Sequence, residues 1–172
     1  LPGKRVDFLI AGADTEDKNH IVVIELKQWE NCEPTSRPDV VKTFTGGAMR
    51  AVAHPSYQAY SYAKIIEEFN ESILEDRITI TPCAYLHNFK EDFRRNIDDT
   101  YYPDAVAAAP VFLSRDADKL RRFVKQFIYR KSDKDLLMLV ENGKLKPSKS
   151  LQDTLSSMLH GNREFYLIDE QK

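Results

Sequence analysis

Asp7 opens one apolar segment, Arg-Val-Asp-Phe-Leu-Ile over residues 5–10, and Glu25 and Lys27 close another, Ile-Val-Val-Ile-Glu-Leu-Lys over residues 21–27. Side chains alternate faces along a strand, so Glu25 and Lys27 point the same way, one pleat apart. Pairing the two segments brings Asp7 to the same edge. Two carboxylates at one edge can hold a hard divalent cation such as Mg²⁺, which takes oxygen ligands. An adjacent ammonium can position a water on such a cation or offset charge building on a phosphate. Together these groups make a minimal apparatus for phosphodiester hydrolysis.

Glu-x-Lys alone is weak evidence in a chain that is 30% charged, because strands commonly end in solvated charges. Its position strengthens it. Ile21 to Ile24 is an unbroken β-branched run, the pattern of a central strand buried on both faces. Charged residues at the end of such a strand cost desolvation unless they have partners or a task. Further on, Gln58 and Tyr62 lie four residues apart in a stretch of helical periodicity that begins near His54-Pro55-Ser56, so they share a helix face.

With this third element the sequence resembles the PD-(D/E)xK nuclease superfamily, in its RecB-like branch. The matching pieces are Asp7, then Glu25-Leu26-Lys27, then Gln58 with Tyr62, in the family's order. Longer phrases carry a closer likeness: Lys4 to Phe8, Ile24 to Trp29, His54 to Ala59, and Pro82 to Asn88. They look like a bacterial group in which a nuclease-like region precedes a Schlafen-like DNA/RNA helicase domain. The closing run, Phe165 to Lys172, is similar to the segment entering that helicase.

The resemblance implies a restriction-endonuclease-like α/β fold, with a mixed central sheet flanked by helices and a mostly helical C-terminal third. It implies Mg²⁺ or Mn²⁺ on Asp7, Glu25 and the Leu26 carbonyl, and hydrolysis of DNA, or of RNA, by metal-activated water. Lys27 orients that water or stabilises the phosphorane, Gln58 holds the lysine, the water or the phosphate, and Tyr62 supports Gln58. The alternative is an idle nuclease fold that binds nucleic acid or docks a helicase. Trp29, His54, His87 and Asn88 border the expected cleft and are candidates for nucleic-acid contact. Packing is the competing role for Trp29 and His54, and a structural role for His87 and Asn88.

Composition narrows the field without deciding it. A chain of 172 residues, 42% hydrophobic, can bury a real core. The net charge of −2 gives no overall basic excess to advertise nucleic-acid binding. Local basic clusters occur at Arg94-Arg95, Lys119 to Lys125, Arg130 to Lys134 and Lys144 to Lys149, and read mostly as solvated faces. Cys32 and Cys83 make neither a disulfide framework nor a metal cluster, and the four histidines lack zinc spacing. No stretch approaches the ~20 apolar residues of a bilayer span. Leu1 to Arg5 lacks a signal-peptide core, so a cytoplasmic location is expected.

These groups need elements to position them. Residues 28–39 hold Pro34 and Pro38 and read as a loop. Residues 40–53 read as a hairpin around Gly46-Gly47, with helix the alternative for 48–53. A helix is expected over 56–70 and a strand over 78–86, whose Pro82 argues for an edge or a bulge. Beyond residue 89 the pattern is mostly helical. Helices are expected at 116–130, capped by Asp116 or Ser114, and at 133–141 and 148–160. The expected organisation is a nuclease-like core over 1–115, its first helix and strand missing, and a helical extension over 116–172 that either completes that core or leads toward an absent helicase domain.

Overall fold

The computed structural model describes residues 6–142. Its organising element is the strand predicted to be central. The β-branched run of β2 (Asn19–Lys27) lies between β1 (Phe8–Ala13), antiparallel to it, and β6 (Thr79–Leu86), parallel to it. Ile21, Val22 and Val23 are fully buried and Ile24 nearly so. A further short parallel strand, β7 (Val111–Leu113), completes a mixed four-stranded sheet in the order β1-β2-β6-β7. Helices cover both faces, so the chain is α/β with a mixed central sheet flanked by helices, as expected.

Alternation along β2 sorts its residues between the two faces. Ile21 and Val23 pack with Ala63, Tyr62 and Ile66 of α1 (Pro55–Phe69), with Ile73 of α2 (Glu71–Glu75) and with Leu136 of α5 (Leu136–Asn142). Val22 and Ile24 pack with Cys83, Phe112 and the apolar stripe Leu120, Phe123, Val124 and Phe127 of α4 (Ala117–Phe127). Burying each such side chain contributes roughly 1.5–3 kcal/mol.

A small antiparallel sheet, β3-β4-β5, grows out of the segment between β2 and α1. It comprises β3 (Glu33–Pro34), β4 (Val40–Thr45) and β5 (Ala48–Ala53). The turn between β4 and β5 is Gly46-Gly47, with φ of 57° and 80°. Positive φ at both central residues is the hairpin turn whose twist matches the strands. The hairpin is thus as expected, and its base (Val41 and Val52) packs on Ala84, Leu86, Phe89 and Tyr102. The helical alternative for 48–53 is excluded.

Several expectations need correction. The expected loop at 28–39 contains β3, too short to leave a periodicity. The mostly helical reading beyond 89 overlooked β7, although a 3-10 turn at Glu91–Asn96 and α3 (Pro103–Ala108) do lie there. The edge expected at Pro82 is present locally: β6 lies inside the sheet, but its pairing with β7 begins only at Ala84. The Ala84 N–H donates to Pro110 O on the β7 side, and Pro82, two residues back, faces the same side beyond the end of β7. Asp116 precedes α4 but makes no side-chain bond to its first turn's free N–H groups; it accepts instead from Leu113 N–H at 3.0 Å and pairs with Arg94 and Lys119. The boundary expected near 115 divides nothing among the described residues, because α4 and α5 each cover one face of the same sheet. The helix expected at 148–160 lies outside the described residues.

Candidate active site at the carboxyl end of β2

The β1–β2 register pairs Phe8 with Ile24. Continued by one residue, it sets Asp7 opposite Glu25, on the same face. Asp7 is fixed there by its own chemistry. The Leu26 N–H, left beyond the last paired residue of β1, donates to Asp7 Oδ2 at 2.9 Å. A carboxylate thus takes the place of a ladder carbonyl and satisfies a backbone donor. Sequence reasoning placed Asp7 at this edge but did not foresee the bond that holds it, which only the strand register could have indicated.

Glu25 is 2% exposed. Lys27 Nζ lies 2.7 Å from its Oε1, so the two side chains share a face. Glu25 Oε2 is buried with no hydrogen-bond partner. Burial pushes the Glu25 carboxyl up to about 7, against the pull of Lys27 and with a further push from Asp7. Desolvation therefore outweighs the ion pair. Ionised, Glu25 leaves a buried oxygen without a donor; protonated, it can hydrogen-bond the Asp7 carboxylate, which is part of the upward push.

The connection between β2 and β6 brings α1 to this point. Two parallel strands joined through a helix make that helix run back across the sheet, so its N-terminal half lies at the carboxyl end of β2. Gln58 is in that half, and its Nε2 donates to the Tyr62 hydroxyl at 3.0 Å. Tyr62 packs its ring in the apolar cluster of Ile21 and Val23. Gln58 and Tyr62 are therefore joined, as the four-residue spacing predicts, on the face that carries Glu25 and Lys27. The positive end of the α1 dipole points to the same edge.

The remaining candidates separate into two groups. His87 and Asn88 follow β6 directly, are exposed, and reach the residue after β2 through Asn88 Nδ2, 3.5 Å from Gln28 O. Their own side chains pair at 3.1 Å. Trp29 is half-buried, and its ring centroid lies 5.5 Å from Lys27 Nζ, a cation–π contact that gives the lysine a second partner besides Glu25. His54 is a correction. It is fully buried, its Nδ1 accepts from Ser56 N–H at 3.1 Å and its Nε2 lies 3.0 Å from Ile97 O. Burial pushes it down to about 4. Both ring nitrogens are used to start α1 and tie it to the Ile97 segment, which leaves neither for a nucleic acid.

The donor set fits a hard divalent cation. Asp7 and Glu25 are both oxygen ligands, and one Glu25 oxygen lacks any partner. Among the described residues no group of three or more His, Cys, Asp or Glu side chains could hold a metal. A cation here would complete its shell with main-chain, water or substrate oxygens, as Mg²⁺ commonly does. Elsewhere the basic clusters are largely engaged: Arg94 with Glu91 and Asp116, Lys119 with Asp116, Arg130 with Asp17 and Lys134 with Asp76. Lys144 to Lys149 lie outside the described residues. Cys32 and Cys83 are buried free thiols pushed up to about 12 by burial, too weakly acidic for metal or nucleophilic work. No helix among the described residues is long and apolar enough to cross a membrane. Comparison with family models, curated proteins and solved structures found no match.

Proposed function

We propose that this chain is a RecB-like PD-(D/E)xK nuclease domain, part of a nuclease–helicase protein, that hydrolyses phosphodiester bonds of DNA, with RNA as a second candidate, in the presence of Mg²⁺ or Mn²⁺. The observation that carries the reading is Glu25: a buried carboxylate with one unpartnered oxygen, faced by Asp7 and flanked by Lys27 at the end of the central strand. A merely structural ion pair has no use for the second acid, whose presence raises the cost of ionising the first.

Asp7, Glu25 and the Leu26 carbonyl are the groups that would hold the cation. When bound, it supplies Lewis acidity toward a phosphate oxygen and acidity to a water. The chain's own contribution is positional. Burial raises the Glu25 carboxyl to about 7, so a cation held beside it would favour its ionised form at neutral pH. Lys27 sets a fixed positive charge beside the site, where removing one such preorganised group typically costs about 10²–10³-fold in rate. Trp29 places its ring 5.5 Å from that ammonium, a cation–π contact. Gln58, anchored on Tyr62, offers an amide to a phosphate oxygen or to Lys27. His87 and Asn88 stand at the exposed rim, where a backbone would pass.

The test is cleavage of labelled DNA and RNA by the purified chain. Activity should require Mg²⁺ or Mn²⁺, vanish in chelator, and fall on the order of a hundredfold or more in Lys27→Ala with the melting temperature held. Equal cleavage by wild type and Lys27→Ala would assign it to a contaminant. Metal-independent binding with no cleavage in any cation would favour the idle-fold alternative.

A further inference from the structure

Lys27 Nζ has two partners of different kind. Glu25 Oε1, 2.7 Å away, is a carboxylate oxygen of the type that a hard cation takes. The Trp29 ring centroid, 5.5 Å away, belongs to a π face that attracts an ammonium and offers an oxygen-seeking cation no ligand. Among the described residues no other carboxylate pairs with Lys27.

Of the two residues in that contact, Trp29 is the anchored one. Its half-buried ring packs on the cluster of Val41, Ala84 and Leu86. Ala84 and Leu86 are the register neighbours of Glu25 and Lys27 on β6. The backbone on either side of Trp29 is tied to the segment that follows β6. Gln28 O accepts from Asn88 Nδ2 at 3.5 Å, and Glu30 O accepts from the Lys90 N–H at 2.9 Å. The lysine head, by contrast, sits on a flexible four-carbon stem. The two partners also differ once the carboxylate is occupied. A cation on Glu25 repels the ammonium and takes its acceptor, so a lysine held by Glu25 alone would leave the site. The attraction of the indole face is untouched by that change. An ammonium seated there keeps its place and gives its released N–H donors to water through its exposed side.

We propose that Trp29 is a positioning residue, which keeps the Lys27 ammonium beside Glu25 when a cation occupies the Glu25 carboxylate. The proposal rests on the nuclease reading, because only a cation-dependent site needs a second seat for this lysine. It differs from base stacking, in which the ring would meet substrate and its contact with Lys27 would be incidental.

The direct readout is NMR of the full chain, isotope-labelled at the lysine ε-methylene groups, with Lys27 assigned through Lys27→Arg. An indole face shifts the protons above it upfield. That shift should be present at Lys27 in wild type and absent in Trp29→Leu. It should persist in Glu25→Gln in chelator, where the carboxylate is gone without any metal, and in wild type with Mg²⁺. Cleavage per folded molecule gives the second readout. Trp29→Leu should lower kcat roughly three- to tenfold at unchanged KM, the span of a cation–π contact. Trp29→Phe, which keeps a π face, should recover most of that loss, and in a Lys27→Ala background Trp29→Leu should cost nothing further. Loss of the upfield shift in Glu25→Gln would show that Glu25 alone seats the lysine, and would overturn the proposal while leaving the nuclease reading standing. So would equal kcat in Trp29→Leu and Trp29→Phe, which marks packing, or a raised KM that persists in Lys27→Ala, which marks contact with substrate. A chain in which Mg²⁺ moves no resonance and no strand is cut removes the nuclease reading and this role together.

Discussion

Glu25→Gln should make this protein more stable at alkaline pH while removing its cation response. In wild type, burial holds the Glu25 carboxyl at about 7, above its ordinary value of 4.5. A carboxyl that binds its proton more tightly when folded favours folding below the unfolded value, and that advantage is lost as pH rises through 7. The gap of about 2.5 corresponds to about 3 kcal/mol at pH 8, against under about 1 kcal/mol at pH 5. Glutamine stands in for the neutral acid at either pH. The gain from Glu25→Gln should therefore be about 3 kcal/mol at pH 8, or roughly 6–12 °C in melting temperature, and shrink to little at pH 5. Lys27, one-fifth exposed, can turn to water once its partner is neutral.

Wild type alone will not reveal this, because His54 works in the opposite direction. Its imidazole, pushed down to about 4 from 6.5 by burial, contributes stability above 6.5 that is lost as pH falls toward 4. The two slopes offset each other across the same window, so the measurement must be the wild-type-to-variant difference. Thermal melts of both proteins in chelator at the two pH values, repeated with excess Mg²⁺, provide it. Mg²⁺ should raise the melting temperature of wild type at pH 8 and leave Glu25→Gln unmoved. A Glu25→Gln variant destabilised equally at both pH values would refute the claim that Glu25 is held against its own ionisation.

Gln58→Ala should reduce cleavage with little loss of melting temperature, whereas Tyr62→Ala should lower both, since its ring belongs to the core cluster of Ile21 and Val23. If Gln58→Ala melts the protein and keeps normal activity per folded molecule, Gln58 is structural. His54→Ala should cost on the order of 3 kcal/mol at pH 7, from the lost N-cap, the lost bond to Ile97 O and the cavity beside Tyr102, with activity per folded molecule unchanged. That cost should narrow as pH falls through 6.5 toward 4; a cost that is constant with pH would mean His54 is not held neutral by burial.

The parts of the fold written in strong local pattern were legible in the sequence. Ile21 to Ile24 announced a doubly buried strand, Gly46-Gly47 a hairpin, and the spacing of Tyr62, Ile65, Ile66 and Phe69 a helix. Alternation alone put Glu25 and Lys27 on one face, and 2.7 Å now separates their charged ends. What failed was short or decided from afar. β7 has three residues, too few for a period to register, and exists because β6 offers it an edge. His54 looked like a cleft residue from its neighbours in sequence. Its burial is decided by Ile97 and Tyr102, distant in the chain, which no local pattern encodes. Trp29 could have met a base or packed, and its position beside Lys27 follows from packing on the Ala84–Leu86 cluster.

The proposed hydrolysis requires Asp7 and Glu25 to share a cation. Diffraction from crystals of this chain grown with Mn²⁺ tests it in one measurement. An anomalous peak should appear between the two carboxylates, within about 2.0–2.6 Å of an oxygen of each, with Glu25 Oε2 engaged. No peak there under saturating Mn²⁺, with Lys27 still on Glu25 and Oε2 still without a partner, would contradict it.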